Sequence, residues 1–200
     1  MRKEKFNFHF PPILRKLKRK AQIILPKDLG IIVAFTGMNK DSIVIDAGTG
    51  SGFSSIFFAT IAKKIITYEI RKDFADFARK NIKRSGLSNI TLREKNIFDG
   101  IREKTDIIFL DLPNPENIFS SNFKLKENGF IASYLPNIEQ VKEFVIKAER
   151  NNFSSFTIEV LARDMLVREF GVRPASKGIT HTGYLTFAQE KNAQEKNKKE

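Results

Sequence analysis

The sequence predicts an α/β protein built on a mostly parallel sheet with helices on both faces. From Ser42 onward, short apolar runs alternate with segments whose apolar residues recur at helical spacing, which is typical of repeated βα units. The first run leads into a glycine-rich turn, DAGTGSG, of the kind that joins a buried strand to a helix. A chain of 200 residues with 41% apolar content fits one domain.

Seven strands and three helices follow from this alternation. The apolar runs predict strands over 43–45, 65–69, 90–92, 106–110, 129–134, 156–161 and 182–188. Helical periodicity predicts helices over 53–64, from Phe74 to a stop at Gly86, and from Val141 to Ala148. Turn signals at Gly171 and Pro174 predict a loop between the last two strands.

The composition excludes several kinds of site and concentrates charge at one end. The chain has no cysteine and two histidines, so we expect no disulfide, no thiolate site and no metal centre. No apolar run reaches membrane-spanning length, and we expect a cytoplasmic protein. Residues 1–27 hold nine Lys or Arg against Glu4, so +8 of the net +12 lies there. Such a cluster suits binding to a polyanion, although a solubilising segment would show the same pattern.

The turn DAGTGSG and the strand after it predict a nucleoside cofactor site. Gly48, Gly50 and Gly52 allow a tight turn and close approach of a ligand to the backbone. Phe53 stands where a dinucleotide fingerprint has its third glycine, which disfavours NAD. Glu69 closes the second strand, where a carboxylate can accept hydrogen bonds from ribose hydroxyls. A glycine turn by itself would be equally compatible with a plain tight loop.

Two further polar residues end later strands. Asn96 could bind the adenine ring of the cofactor, or it could cap its own loop. Asp111 ends the fourth strand in LDLPNP beside the expected cofactor site, and it is a candidate catalytic residue; its alternative role is to cap the following helix.

Several motifs, in a fixed order, resemble the tRNA (adenine-N1)-methyltransferases that modify the T-loop, especially the single-subunit bacterial and archaeal enzymes. The matching segments are QIILPKD (22–28), DAGTGSG (46–52), YEIR (68–71), LDLPNP (110–115), SYLPNIEQV (133–141), RP (173–174) and HTGYLTFA (181–188). The resemblance implies a Rossmann-like class I methyltransferase fold: a seven-stranded, mostly parallel sheet whose last strand is antiparallel.

The resemblance also implies a cofactor, a substrate and roles for individual residues. The cofactor would be S-adenosylmethionine, bound by Asp46, Gly48, Thr49, Gly50, Ser51, Gly52, Glu69, Asn96 and Asp111. The substrate would be adenine 58 of tRNA, in archaea also adenine 57. Asp111 would meet that base, flanked by Tyr134, Pro113 and His181; Tyr134 could instead fill core space, and we expect His181 to be a hydrogen-bonding residue rather than a base. A homotetramer is implied as well.

The chain departs from the family pattern in three places. We expect a basic N-terminal arm over 1–25 in place of the family's small β domain, a methyltransferase domain over 26–189, and a polar tail over 190–200. Leu25 replaces an aromatic residue, and Asn96 an acidic one. The tRNA grip would then fall to a set of basic side chains in the arm: Arg15, Lys16, Lys18, Arg19 and Lys20.

Two other functions compete with this hypothesis. The family includes non-catalytic tRNA-binding subunits, which tend to lose the glycine turn and the catalytic aspartate. Small-molecule or protein methyltransferases of the precorrin and isoaspartyl types share similar glycine turns. Both the turn and Asp111 are intact here, and the two rival small-molecule and protein classes need neither the basic arm nor LDLPNP.

Overall fold

A seven-stranded sheet forms the centre of the molecule in a computed structural model that describes residues 10–176 and 181–191. The chain runs through α1 (Pro12–Arg15), α2 (Pro26–Thr36), β1 (Ile43–Ala47), α3 (Phe53–Ala59), β2 (Lys64–Tyr68), α4 (Lys72–Ser85), β3 (Ile90–Arg93), β4 (Lys104–Leu110), β5 (Lys124–Leu135), α5 (Ile138–Arg150), β6 (Phe153–Glu159), β7 (Met165–Arg168), β8 (Gly171–Pro174) and β9 (Tyr184–Glu190), with 3-10 turns at Ile97–Asp99 and Pro115–Ser120.

The strand order confirms the predicted fold class. The order is β3-β2-β1-β4-β5-β9-β6, and every described pair is parallel except the two that β9 makes with β5 and β6. The central strands are buried on both faces, as the continuous apolar runs indicated. Because successive side chains alternate between faces, Ile45 and Ile108 pack on the side of α5, whereas Val44 and Ile107 pack on the side of α2 and α3.

Two predicted elements need correction. The helix expected over 53–64 ends at Ala59, because the Thr60 amide bonds the Phe57 carbonyl at 3.1 Å and tightens the last turn, and Lys64 then enters β2 opposite Ile43. The sequence predicts a loop around Gly171 and Pro174. The structure has the β7–β8 hairpin there instead, a two-stranded sheet separate from the central one.

The described part of the N-terminal arm packs against the domain. Phe10, Leu14 and Leu17 are buried against Phe53 and Ile56 of α3. Residues 1–9 of the arm and 192–200 of the tail lie outside the described residues. Among the helices of the described ranges, none is long and apolar enough to span a membrane.

Candidate active site

The predicted site residues gather at one edge of the sheet. Parallel strands bring their carboxyl ends to the same edge, and here β1, β2, β3, β4 and β5 end next to Gly48, Glu69, Asn96, Asp111 and Pro136. The antiparallel β9 begins at this edge, because Tyr184 lies opposite both Leu135 and Glu159. Residues 181–183, which precede β9, therefore belong to the site edge too.

The glycine turn lies directly against the loop that carries Asp111. Gly48 has φ +89°, and a Cβ there would lie 1.8 Å from the backbone oxygen of Asp111. The Asp111 amide also donates to the Ala47 carbonyl at 2.8 Å, and the Gly48 amide to that of Tyr68 at 3.0 Å. Only glycine fits at position 48 without displacing the Asp111 loop.

Asp46 lies beneath the turn with half of its carboxylate unpaired. Its side chain is fully buried; Oδ2 accepts hydrogen bonds from the hydroxyls of Ser54 and Ser55, and a longer one of 3.4 Å from Thr67. Oδ1 has no hydrogen-bond partner in the described ranges. Burial raises the pKa of Asp46 to about 6 despite the serine hydrogen bonds. A buried, unpaired oxygen at this place is suited to a polar group of a ligand.

Glu69 is anchored to the glycine turn. Its carboxylate accepts from the Gly50 amide at 3.0 Å and, through the other oxygen, from the Arg71 amide at 3.0 Å. A carboxylate has about four acceptor positions, so hydroxyl groups of a ligand can be accepted as well. The side chain of Asn96 caps the 3-10 turn at Ile97–Asp99 by accepting from the Phe98 amide at 3.0 Å. The loop cap is the role of Asn96 that the structure contains.

Asp111 carries a carboxylate that no group in the described chain hydrogen-bonds. The alternative role, capping the turn at Pro115–Ser120, does not occur, since Asn114 is the residue before that turn and no side chain caps it. Burial, with the nearby charge of Asp46 adding to it, raises the pKa of Asp111 to about 7. Pro113 is exposed in the same loop. A largely desolvated acceptor with nothing to accept is a strong candidate for a substrate contact.

Tyr134 lies at the end of β5, one position beyond the paired residues Leu110 and Ser133 and thus beside Asp111. Its half-buried ring packs on Gly183, where a Cβ would come within 2.6 Å of the ring, and its hydroxyl donates to the Thr182 carbonyl. Burial raises the pKa of Tyr134 to about 12. Both roles considered for the residue, core packing and a place beside Asp111, agree with this position.

His181 is exposed and hydrogen-bonded to a carboxylate. Nδ1 lies 2.5 Å from Oε1 of Glu159, and this contact raises the pKa of His181. The ring also lies 5.0 Å from that of Tyr184. This agrees with the expected hydrogen-bonding role better than with a general base.

The basic arm is fastened to the glycine turn by the hydroxyl of Ser51 and the amide of Asn81. Ser51 Oγ accepts from the Lys20 amide at 2.9 Å, so its side chain faces the arm. The buried Asn81 side chain donates to the carbonyls of Lys18 and Ser51, both at 2.8 Å, and accepts from the Lys18 amide at 3.1 Å. Part of the predicted cofactor turn is thus held in place by the arm.

The five basic side chains of the arm do not form one free cluster. Lys20 pairs with Asp73, Arg19 lies 4.7 Å from the centre of the Phe10 ring, and Arg15 bonds the Phe10 carbonyl at 2.7 Å. Lys16 and Lys18 have exposed side chains without ion-pair partners within the described ranges.

One buried pair at the site edge was not identified from the sequence. Asp28 is fully buried and forms an ion pair with Lys27 at 2.7 Å, and both contact Thr182. The only signal was that QIILPKD and HTGYLTFA both resemble family motifs, with no role attached to Lys27 or Asp28. No three His, Asp or Glu side chains of the described chain are grouped so as to hold a metal ion.

Known proteins similar to this chain include tRNA methyltransferases. A family model described as the tRNA methyltransferase complex GCD14 subunit matches residues 13–173. The tRNA (adenine(57)-N(1)/adenine(58)-N(1))-methyltransferase TrmI of Methanocaldococcus jannaschii is 36% identical over 210 aligned residues, which cover 88% of this chain and 74% of that protein.

Two solved structures share the fold closely. The tRNA (m1A58) methyltransferase TrmI of Aquifex aeolicus has a TM-score of 0.81 at 26% identity, covering 90% of this chain and 75% of its own. A protein of Thermotoga maritima described as an SAM-dependent O-methyltransferase has a TM-score of 0.80 at 30% identity, covering 86% and 67%.

Proposed function

Because the chain belongs to the family of tRNA methyltransferase complex GCD14 subunits, we propose that it is an S-adenosylmethionine-dependent tRNA (adenine-N1)-methyltransferase that acts on T-loop adenine 58. The archaeal relative's name makes adenine 57 a second candidate position. The observation that carries the proposal is the unpaired carboxylate of Asp111 beside the glycine turn. A tRNA substrate would place the enzyme in the cytoplasm.

The residues of the glycine turn fit S-adenosylmethionine. The ribose would be held by Glu69, whose carboxylate is already fixed by the Gly50 and Arg71 amides. The unpaired Oδ1 of Asp46 offers an acceptor beneath the turn, and the glycines leave room above it. The cofactor would supply a methyl group already activated on a sulfonium, so the protein has to bind and align rather than activate.

Asp111 would orient the target base. Adenine N1 is itself a nucleophile, so alignment is the main catalytic requirement. An ionised Asp111 can accept a hydrogen bond from the exocyclic amine of adenine, which orients the ring and stabilises the positive charge that develops as N1 is alkylated. Tyr134 would flank a base taken out of the tRNA stack, since the reacting edge is otherwise occupied. Pro113 and His181 border the same place.

The arm supplies the proposed tRNA grip. Lys16 and Lys18 present free ammonium groups on the outside of the segment that Asn81 fastens to the glycine turn. Contacts of lysine with phosphate position RNA without reading its bases. Arg15, Arg19 and Lys20 also hold the arm to the domain, so they would contribute to RNA binding in addition to that structural role.

The β7–β8 hairpin supports the proposed homo-oligomer. Val167 pairs with Val172 and Met165 with Pro174, and these four exposed side chains share one face of the hairpin. Phe170 at its turn is 96% exposed. Two-stranded hairpins are marginally stable alone in water, so an apolar face of this kind favours contact with another copy of the chain. We propose a tetramer.

Transfer of labelled methyl groups tests the proposed activity. Wild-type protein should label a tRNA transcript with adenine at position 58 and should fail to label one with guanine there, or with guanine at 57 and 58 if both are modified. Asp111→Ala should keep its cofactor affinity and lose at least about a hundredfold in rate, the scale of one well-placed electrostatic group. Asp111→Asn should fall between the two, because it keeps an acceptor but loses the charge. An Asp111→Ala variant as active as wild type contradicts the mechanism.

The Thermotoga protein described as an O-methyltransferase keeps small-molecule methylation as a second candidate. The same assay separates the two, since labelling of small phenols or catechols without labelling of tRNA would support the alternative. A non-catalytic subunit would label neither substrate, yet the glycine turn and Asp111 are both arranged as an active enzyme requires.

A further inference from the structure

Lys27 and Asp28 form a buried ion pair at the N-terminus of α2, on the site edge of the sheet. Asp28 is fully buried, and the Lys27 side chain is 18% exposed. All three hydrogens of the Lys27 ammonium have an acceptor: Asp28 Oδ1 at 2.7 Å, the Val160 carbonyl at 2.7 Å and Thr182 Oγ1 at 2.8 Å. A buried ion pair gives little net stability over apolar residues, so the geometry that it fixes is its more informative property.

The pair closes the base of a long excursion of the chain. Val160 directly follows β6, Thr182 precedes β9 by one residue, and the chain between them carries the β7–β8 hairpin. Lys27 bonds both ends of this excursion, and Asp28 Oδ2 accepts from the Thr182 hydroxyl at 3.0 Å. Thr182 is therefore held by two charged groups that come from more than 150 positions earlier in the chain.

Thr182 in turn holds Tyr134. Its carbonyl accepts the Tyr134 hydroxyl, and the adjacent Gly183 packs against the Tyr134 ring. The ring also lies in the electrostatic field of both Asp28 and Asp111. A continuous set of hydrogen bonds thus runs from the ion pair through Thr182 to the aromatic residue beside Asp111.

We propose that Lys27 and Asp28 are positioning residues for Tyr134: through Thr182 they fix the aromatic ring that flanks the target base. The catalytic part of this inference rests on the proposed function, whereas the hydrogen-bonded connection to Tyr134 does not. A purely structural role would make the pair matter for stability alone. A positioning role makes its loss visible at Tyr134 and in the methyl-transfer step.

Thr182→Val is the sharpest variant, because it removes one hydroxyl while it keeps the side-chain shape and the Lys27–Asp28 pair. Thr182→Ser restores the hydroxyl. Thr157→Val is the matched control, since it removes another threonine hydroxyl from the same part of the sheet, where Thr157 and Thr186 bond each other at 2.8 Å. Each variant is compared with wild type for melting temperature, cofactor Kd, and kcat and KM with tRNA.

Tyrosine NMR gives a readout independent of activity. The chain has three tyrosines, so protein labelled at the tyrosine ζ carbon gives three signals, and Tyr134→Phe identifies the one from Tyr134. We expect Thr182→Val to shift that signal and to lower kcat about tenfold, because small misplacements near reacting atoms are costly. Cofactor Kd should stay within about twofold, the KM for tRNA should hold, and Thr182→Ser should recover most of the loss.

Two results would overturn the proposal: an unmoved Tyr134 signal in Thr182→Val, or equal losses of kcat in Thr182→Val and Thr157→Val. Wild-type protein that methylates no tRNA would refute the proposed function instead. In that case the Tyr134 signal alone decides whether the ion pair positions the ring.

Discussion

Replacing Asp111 by asparagine should stabilise the protein at alkaline pH, although it damages the proposed active site. Burial raises the pKa of Asp111 from 3.8 to about 7. Between these values the folded protein binds more protons at this residue than the unfolded chain does. The free energy of unfolding therefore falls as the pH rises through this range, and it levels off above pH 7. Asparagine has the same shape and does not titrate.

The magnitude follows from the width of this interval. Each pH unit between 5 and 7 costs the wild type about 1.4 kcal/mol at this position, so the stability advantage of Asp111→Asn should grow by about 2–3 kcal/mol from pH 5 to pH 8. Asp46 titrates in both proteins, so its contribution largely cancels in the comparison. Urea unfolding at pH 5, 6, 7 and 8 measures the difference, and an advantage that stays constant with pH would refute the reasoning.

Three further outcomes are expected at the site and the arm. Methyl transfer by wild type should rise between pH 6 and pH 8 in single-turnover assays, since Asp111 must lose its proton to accept a hydrogen bond; a flat profile would contradict its role. In calorimetry, Glu69→Ala should weaken cofactor binding by about 1.5–3 kcal/mol, and unchanged affinity would remove Glu69 from the site. Neutralising Lys16 and Lys18 should weaken every tRNA equally and flatten the salt dependence by roughly 0.7–0.9 log units for each phosphate that is no longer neutralised, whereas an unaltered slope would place the grip elsewhere.

The sheet was predictable from the sequence because its central strands are buried on both faces. The runs over 43–45 and 106–110 are continuous apolar segments followed by polar turns, and such segments have few other solutions. The β7–β8 hairpin was missed for the opposite reason. Its apolar side chains alternate with arginines and face solvent, so no burial pattern distinguishes it from a loop.

The glycine turn and Asp111 could be predicted because the chemistry of each is local in sequence. Thr182 and the Lys27–Asp28 pair could not, because their hydrogen bonds join segments more than 150 residues apart. The sequence also could not indicate that Ser51 faces the arm, since its hydroxyl is used by the backbone of Lys20. Contacts of this kind depend on how the elements pack, which a local pattern does not contain.

The attachment of the arm to the glycine turn affects how truncated forms of this protein can be interpreted. A shortened chain starting after residue 21 would lose its positive charges, but it would also leave the amide of buried Asn81 without the Lys18 backbone and Ser51 without the Lys20 amide. It would uncover the apolar surface around Phe53 as well. Weak cofactor binding in such a fragment would indicate a loosened turn rather than the removal of residues that bind the cofactor directly. Charge-neutralising substitutions in the full chain separate the two effects, and a deletion does not.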